Sequence, residues 1–210
     1  LIGVDAVGIQ LRILAHYMGD PTFIHAVTQG SQKNGDDPHT LNMRALGPIC
    51  KTRDNSKTFI YAFLLGAGAG KVKEIFDCAL SQAKEAILGF IKAYPGLDTL
   101  KSETIPRIAS KGFLEGLDGR YIITSEERLV LAAMLQGGEA VIMKRACIKA
   151  CQELDKLKIP YELVNFVHDE LIFMVDDDKE LAYKVKSIVE QAITSQGIEL
   201  NLKCPMEGDG

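Results

Sequence analysis

The chain has 210 residues, 47% hydrophobic and 25% charged, with a formal charge of −4. That is enough for one large or two small globular domains with a real core. It excludes a global basic field that would draw in nucleic acid, so any such contact must come from local clusters.

Leu1–Asp5 is apolar and reads as a short strand. Val7, Leu11, Leu14, Ala15 and Met18 then recur at helical spacing. Asp5 therefore stands where a strand hands over to a helix. There it is either a reactive carboxylate fixed by the strand or an acid favoured by the helix dipole. Pro21–Thr28 is a short helix, and Gly30–Asp36 a polar loop. Asp37-Pro38 is an N-cap followed by Pro at the first helical position, opening a helix to about Leu46. His39, in its first turn, faces solvent or a phosphate.

Thr52 or Asp54 caps a helix that runs to the glycines near Gly66. On it Arg53, Lys57 and Tyr61 recur every four residues and form one stripe. Two cations and an aromatic suit a triphosphate with a stacked sugar or base; a solvated basic edge with a half-buried Tyr is the alternative. Lys71–Tyr94 is helical, divided near Ser81, and Pro95–Lys111 is a helix disturbed at Pro106. Gly112–Thr124, with Gly116-Leu-Asp-Gly119, reads as a hairpin. Glu126–Leu157 is a long helix carrying Arg128, Ala132 and Gln136 on one face, where Arg128 and Gln136 either meet only solvent or make a contact.

The stretch Tyr161–Val175 organises the rest. Its apolar runs, Leu163–Val167 and Leu171–Val175, flank a polar tip, His168-Asp169-Glu170, and read as a buried β-hairpin. Two carboxylates held ~4 Å apart repel by a few kcal/mol at an effective dielectric near 20. A divalent cation between them would relieve this; a plain acidic turn is the other reading. Lys179–Ser195 is an amphipathic helix and Glu199–Leu202 a last strand. The five cysteines, odd in number and without a CxxC pair, give no disulfide framework or zinc site. No run of about 18 apolar residues exists, and no signal peptide is expected. Leu1 falls inside an apolar run and the chain stops at Met206-Glu-Gly-Asp-Gly210, so both ends are expected to be cuts from a longer protein.

Three stretches, in order, resemble motifs A, B and C of family A DNA polymerases, the branch of bacterial DNA polymerase I and bacteriophage replicative enzymes. They are Val4-Asp5-Ala-Val-Gly-Ile-Gln-Leu-Arg12, Arg53-Asp-Asn-Ser-Lys57-Thr-Phe-Ile-Tyr61 and Val167-His168-Asp169-Glu170. Gly116-Leu-Asp-Gly-Arg120 and the Arg128, Gln136 spacing also match. The resemblance covers nearly the whole chain. It implies an α+β fold: a palm of antiparallel sheet with long helices (residues 1–20 and 107–210), carrying a helical fingers insertion (residues 21–106, motif B helix about 52–68), with the thumb absent.

The resemblance further implies template-directed transfer of dNTPs to a primer 3′-hydroxyl by a two-metal mechanism. Asp5, Asp169 and the backbone of Ala6 would bind two Mg²⁺, with Glu170 supporting the site. Arg53, Lys57 and His39 would hold the triphosphate, Lys57 would protonate the leaving group, and Tyr61 would stack near the sugar. His168 would meet the primer end, and Arg128 and Gln136 the duplex minor groove. Implied partners are primer-template DNA, dNTPs and a processivity factor, in the bacterial cytoplasm and with no membrane. Some positions depart from the pattern. Gln10 stands beside the sugar where Glu is usual, Ala62 replaces Gly, Leu65 a Tyr, and Ala132 an Asn. The competing reading is a non-catalytic nucleic-acid-binding module derived from such a core; a two-metal nuclease would not need the Arg53-Lys57-Tyr61 stripe.

Overall fold

A computed structural model describes residues 1–210. The fold is α+β: ten α-helices, a four-stranded sheet and a two-stranded one. The chain divides into two compact units, one of Leu1–Ile13 with Gln136–Gly210, the other of Leu14–Leu135. The divisions fall inside helices α1 (Ile9–Met18) and α9 (Glu127–Lys156). No helix is long and apolar enough to cross a membrane.

In the first unit, β1 (Ile2–Ala6) lies between β5 (Glu170–Met174) and β6 (Gly208–Asp209), and β4 (Glu162–Val167) flanks β5, giving the order β4-β5-β1-β6. Every pairing is antiparallel. Alternation sorts β1: Ile2, Val4 and Ala6 are buried while Gly3 and Asp5 take the other face. The buried face packs on α10 (Lys179–Glu199), whose Val185, Val189, Ala192 and Ile193 are also buried.

In the second unit seven helices follow one another: α2 (Pro21–Thr28), α3 (Pro38–Leu46), α4 (Arg53–Leu64), α5 (Ala69–Phe76), α6 (Leu80–Ala93), α7 (Pro95–Thr99) and α8 (Ile105–Lys111). Asp20 and Asp37 cap α2 and α3 ahead of their prolines, and Thr52 caps α4 by accepting from the Asn55 N–H at 3.1 Å. Rings of Phe59, Phe63, Phe76, Phe90 and Tyr94 pack together at centroid distances of 5.1–5.8 Å. A π-helical turn, Leu100–Thr104, joins α7 to α8. Pro106 explains it, because it has no N–H for the carbonyl four residues back. The hairpin of β2 (Phe113–Glu115) and β3 (Tyr121–Ile123) completes the unit.

Four expectations need correction. Glu199–Leu202 is not a strand: Glu199 ends α10, Leu200 caps it with its N–H on Gln196 O, and Asn201 turns the chain with φ 51°. The last strand is Gly208–Asp209. The central hairpin is not buried either, because β4 is an edge strand exposed along its whole length. Its turn is the two residues His168-Asp169, and Glu170 is already paired in β5 with Val167. The break between α5 and α6 comes at Asp77, left-handed at φ 47°, ahead of Ser81.

Candidate functional site

The acids of the first unit are gathered by strand register. Asp5 on β1 stands opposite Glu170 on β5 and opposite Asp209 on β6. Directly opposed residues of an antiparallel pair share a face, with β-carbons about 4.5–5.5 Å apart. Glu170, Asp5 and Asp209 thus form a row across three strands. Asp169 joins it through the backbone: its carbonyl accepts the Ala6 N–H at 2.9 Å. His168, the other turn residue, is exposed and left-handed at φ 53°, a conformation His tolerates better than most residues.

Several contacts hold this end of the sheet. Arg12 is buried, donates to the carbonyls of Val7 and Pro205 at 2.8 Å each, and pairs with Glu207. The Val7 N–H bonds Glu207 O at 2.9 Å, so the segment leading to Asp209 is tied to β1. Position 208 must be Gly, because a β-carbon there would lie 2.9 Å from Glu190 Cα. At position 3 a β-carbon would lie 2.7 Å from Glu170 Oε1, so the carboxylate of Glu170 rests over Gly3.

Electrostatically the row is unbalanced. Partial burial raises the Asp5 pKa, and Asp169, Asp209 and Glu170 raise it further; a backbone hydrogen bond offsets only part of this. No three Asp, Glu, His or Cys side chains close into a metal cage. The carboxylates here that could hold a cation are Asp5 and Asp169, with Glu170 and Asp209 directly opposite Asp5. That suits Mg²⁺, which keeps several waters and binds through one or two carboxylates plus substrate oxygens. Gln10, half-buried, donates its Nε2 to Glu139 Oε2 at 2.9 Å.

The second unit carries the cations. Arg53, Lys57 and Tyr61 lie along α4, Lys57 exposed and the other two half-buried. The His39 ring stands 6.2 Å from that of Tyr61. His39 does not face solvent, being 8% exposed, and its Nδ1 is buried without a hydrogen-bond partner. Burial lowers its pKa, and the Arg53 and Lys57 charges lower it further against an opposing pull from Asp37, so the ring stays neutral near pH 7. Asp37 is buried and takes Arg53 as an ion-pair partner, at 3.0 Å from Nε and 2.8 Å from Nη2. Burial works to raise its pKa, but hydrogen bonds from Thr40 and Arg53 and the Arg53 charge outweigh it and hold it low. Arg128 and Gln136 are both exposed on α9, and Arg128 pairs with Glu126 at 2.9 Å. Leu65, one residue past α4, is 53% exposed.

Sequence reasoning missed three of these residues. Asp209 lies in a two-residue strand, too short for any periodic signal. Glu139 was one more polar residue on a long helix. Asp37 was visible as a cap, but its link to Arg53 spans sixteen residues between two helices.

The family model for DNA polymerase family A matches residues 1–209. The DNA-directed DNA polymerases of Enterobacteria phage T3 and Escherichia phage T7 are each 28% identical over 99% of the chain, which spans 32% of their length. DNA polymerase I of Lactococcus lactis is 27% identical over 92% of the chain and 24% of its own length. The chain thus covers about a third or less of these curated relatives. Among solved structures, the POL domain of Pol1 from M. smegmatis, in complex with DNA primer-template and dNTP, has a TM-score of 0.80 and 22% identity. The match covers 99% of this chain and 38% of that one. That likeness carries the fold.

Proposed function

The chain belongs to DNA polymerase family A, and from that premise we propose that it is the palm and fingers of a DNA-directed DNA polymerase, adding dNTPs to a primer 3′-hydroxyl. The observation that carries the reading is the junction of β1 with the His168-Asp169 turn. One backbone hydrogen bond, Ala6 N–H to Asp169 O at 2.9 Å, brings together two acids 164 positions apart. In this reading residues 1–20 and 107–210 are the palm, and the helices from Pro21 to Pro106 are the fingers.

Two Mg²⁺ held by Asp5, Asp169 and the Ala6 carbonyl would activate the primer oxygen and neutralise charge on the departing pyrophosphate. Glu170, seated over Gly3 and opposite Asp5, keeps the field around those carboxylates negative. Arg53 and Lys57 bind triphosphate oxygens, and neutral His39 adds a hydrogen bond without adding charge. Lys57, the exposed cation of the stripe, holds the proton that the leaving group takes. Tyr61 packs against the incoming sugar. Gln10 flanks that sugar with its amide oxygen, since Glu139 holds its nitrogen. His168 meets the primer end, and Arg128 and Gln136 touch the duplex minor groove. Its acceptors differ little between base pairs, so contact there tests pair shape without reading sequence.

Primer extension with a templated dNTP and Mg²⁺, by this chain and by a longer protein that carries it, tests the proposal. Asp169→Ala is expected to abolish extension while sparing most primer-template binding, since it removes charge stabilisation that matters in the transition state. Retention of more than roughly a tenth of the unmutated kcat would remove Asp169 from this role. Binding of primer-template without extension by the unmutated longer protein would favour a non-catalytic binding module.

A further inference from the structure

An acid at the N-terminus of α3 sits against the α4 face read above as a triphosphate site. Two cations one helical turn apart repel, and a long Arg side chain left to itself has many rotamers to lose when a ligand arrives. Asp37 answers both problems. One oxygen, Oδ1, accepts the His39 N–H at 3.1 Å and the Nε and Nη2 of Arg53 at 3.0 and 2.8 Å. The other takes the Thr40 hydroxyl. A second tie, Ser56 Oγ donating to His39 O at 2.8 Å, joins α4 to α3 beside it. The Asp37 side chain is 6% exposed and that of Arg53 31%. The carboxylate is therefore buried with both oxygens engaged, whereas the Arg53 side chain is only partly buried.

We propose that Asp37 is the positioning residue of the phosphate face. It grips the Nε–Nη2 edge of Arg53 while capping α3, so that the Nη1 end points outward and His39 is fixed next to it before any ligand arrives. The planar guanidinium makes this possible, since it presents donors on more than one edge; the point charge of a Lys could not be held on one side and offered on the other. The inference rests on reading the Arg53–Lys57–Tyr61 face as a triphosphate site. Asp37 also has a contrary effect, because a carboxylate near an anion weakens the anion's attraction. The proposal requires the loss of aim in a variant to outweigh the gain in field.

The test is calorimetric titration of the 210-residue chain with sodium triphosphate and with a dNTP. The variants are Asp37→Asn, Arg53→Lys, Arg53→Ala and the double Asp37→Asn/Arg53→Ala, each with its thermal unfolding curve. Arg53→Ala is expected to weaken binding about tenfold or more, the size of one charge-assisted bond. Asp37→Asn keeps a capping side chain and Arg53→Lys keeps the charge, yet each is expected to lose roughly three- to tenfold. The double variant is expected to bind like Arg53→Ala within about twofold, because Asp37 acts through Arg53 and the two losses do not add. Binding by Asp37→Asn or Arg53→Lys as tight as the unmutated chain, beside a weakened Arg53→Ala, overturns the proposal. So does a further loss in the double variant. If Asp37→Asn fails to fold, Arg53→Lys decides alone. Unchanged binding by Arg53→Ala removes the triphosphate reading of this face, and the proposal with it.

Discussion

Asp5 and Asp37 are the same residue type, and each stands at the approach to a helix, yet their surroundings are opposite. Asp5 lies on an inner strand of the first unit, where partial burial raises its pKa and the charges that act on it, all carboxylates, raise it further. Asp37 is buried in the second unit, and hydrogen bonds and a cation hold its pKa low in spite of burial. The comparison teaches that exposure alone does not tell which acid awaits a ligand. An acid whose neighbours repel it needs a cation from outside the chain. One whose neighbours satisfy it has been assigned to hold something else in place.

The largest effect that would break this contrast belongs to Asp37. Asp37→Ala leaves Arg53 unpaired and α3 uncapped, and is expected to cost about 2–3 kcal/mol in urea unfolding. That is less than for a fully buried pair, because Arg53 reaches solvent. The pH dependence follows from the direction of the shift. A carboxylate whose folded pKa lies below the unfolded value of 3.8 adds stability above that value and loses it as the pH falls through the folded pKa. The gap between the unmutated chain and Asp37→Ala is thus expected to be full at pH 6 and to close below about pH 3.8. A gap that stays constant with pH would show that the ion pair contributes nothing.

Gln10→Glu comes next. It replaces the amide donor held by Glu139 with a second carboxylate at hydrogen-bond distance, and is expected to cost about 1 kcal/mol at pH 7. Acid should restore the loss, since two such groups can share one proton. Equal stability of the variant at pH 7 would mean that Gln10 and Glu139 are not paired in solution.

The smallest effect has the opposite sign. Asp5→Asn removes a like charge facing Glu170 and Asp209, and is expected to stabilise the metal-free chain by roughly 0.2–1 kcal/mol. Because the folded pKa of Asp5 is raised, its charge penalises the folded state above that pKa, and the gain from Asn should vanish as the pH falls below 3.8. Mg²⁺ should raise the melting temperature of the unmutated chain by mass action and leave Asp5→Asn unmoved. Destabilisation by Asp5→Asn at neutral pH would place Asp5 with Asp37, among the acids that hold the fold.

Much of the fold was legible because its boundaries are written in local chemistry. Asp37-Pro38, Thr52, Pro21 and Pro95 each mark a helix start through a cap or a fixed φ. The family was legible through three short motifs whose order survives without any structure. Other features depended on partners remote in sequence. Two apolar runs rich in β-branched residues announce a hairpin, but do not say whether it is central or at the edge, and β4 is at the edge. A two-residue turn and a three-residue tip differ by one position in register, which decides the face that Glu170 takes. Glu199-Leu-Asn-Leu202 alternates like a strand only by chance, since it spans the end of α10 and the turn that follows. Neither Asp209 opposite Asp5 nor Asp37 beside Arg53 leaves any periodic trace.

Gly3 and Glu170 make a pair in which a change at one position bears on the other. A β-carbon at position 3 meets the far end of the Glu170 side chain, which can swing aside without disturbing the sheet. Drift from Gly to Ala at position 3 would therefore pass almost unnoticed by selection for folding, yet would evict the carboxylate from its seat beside Asp5. Lineages that lose the glycine are expected to carry a shorter or uncharged residue at position 170. Across an aligned set of relatives, the two columns should covary more tightly than either does with its chain neighbours.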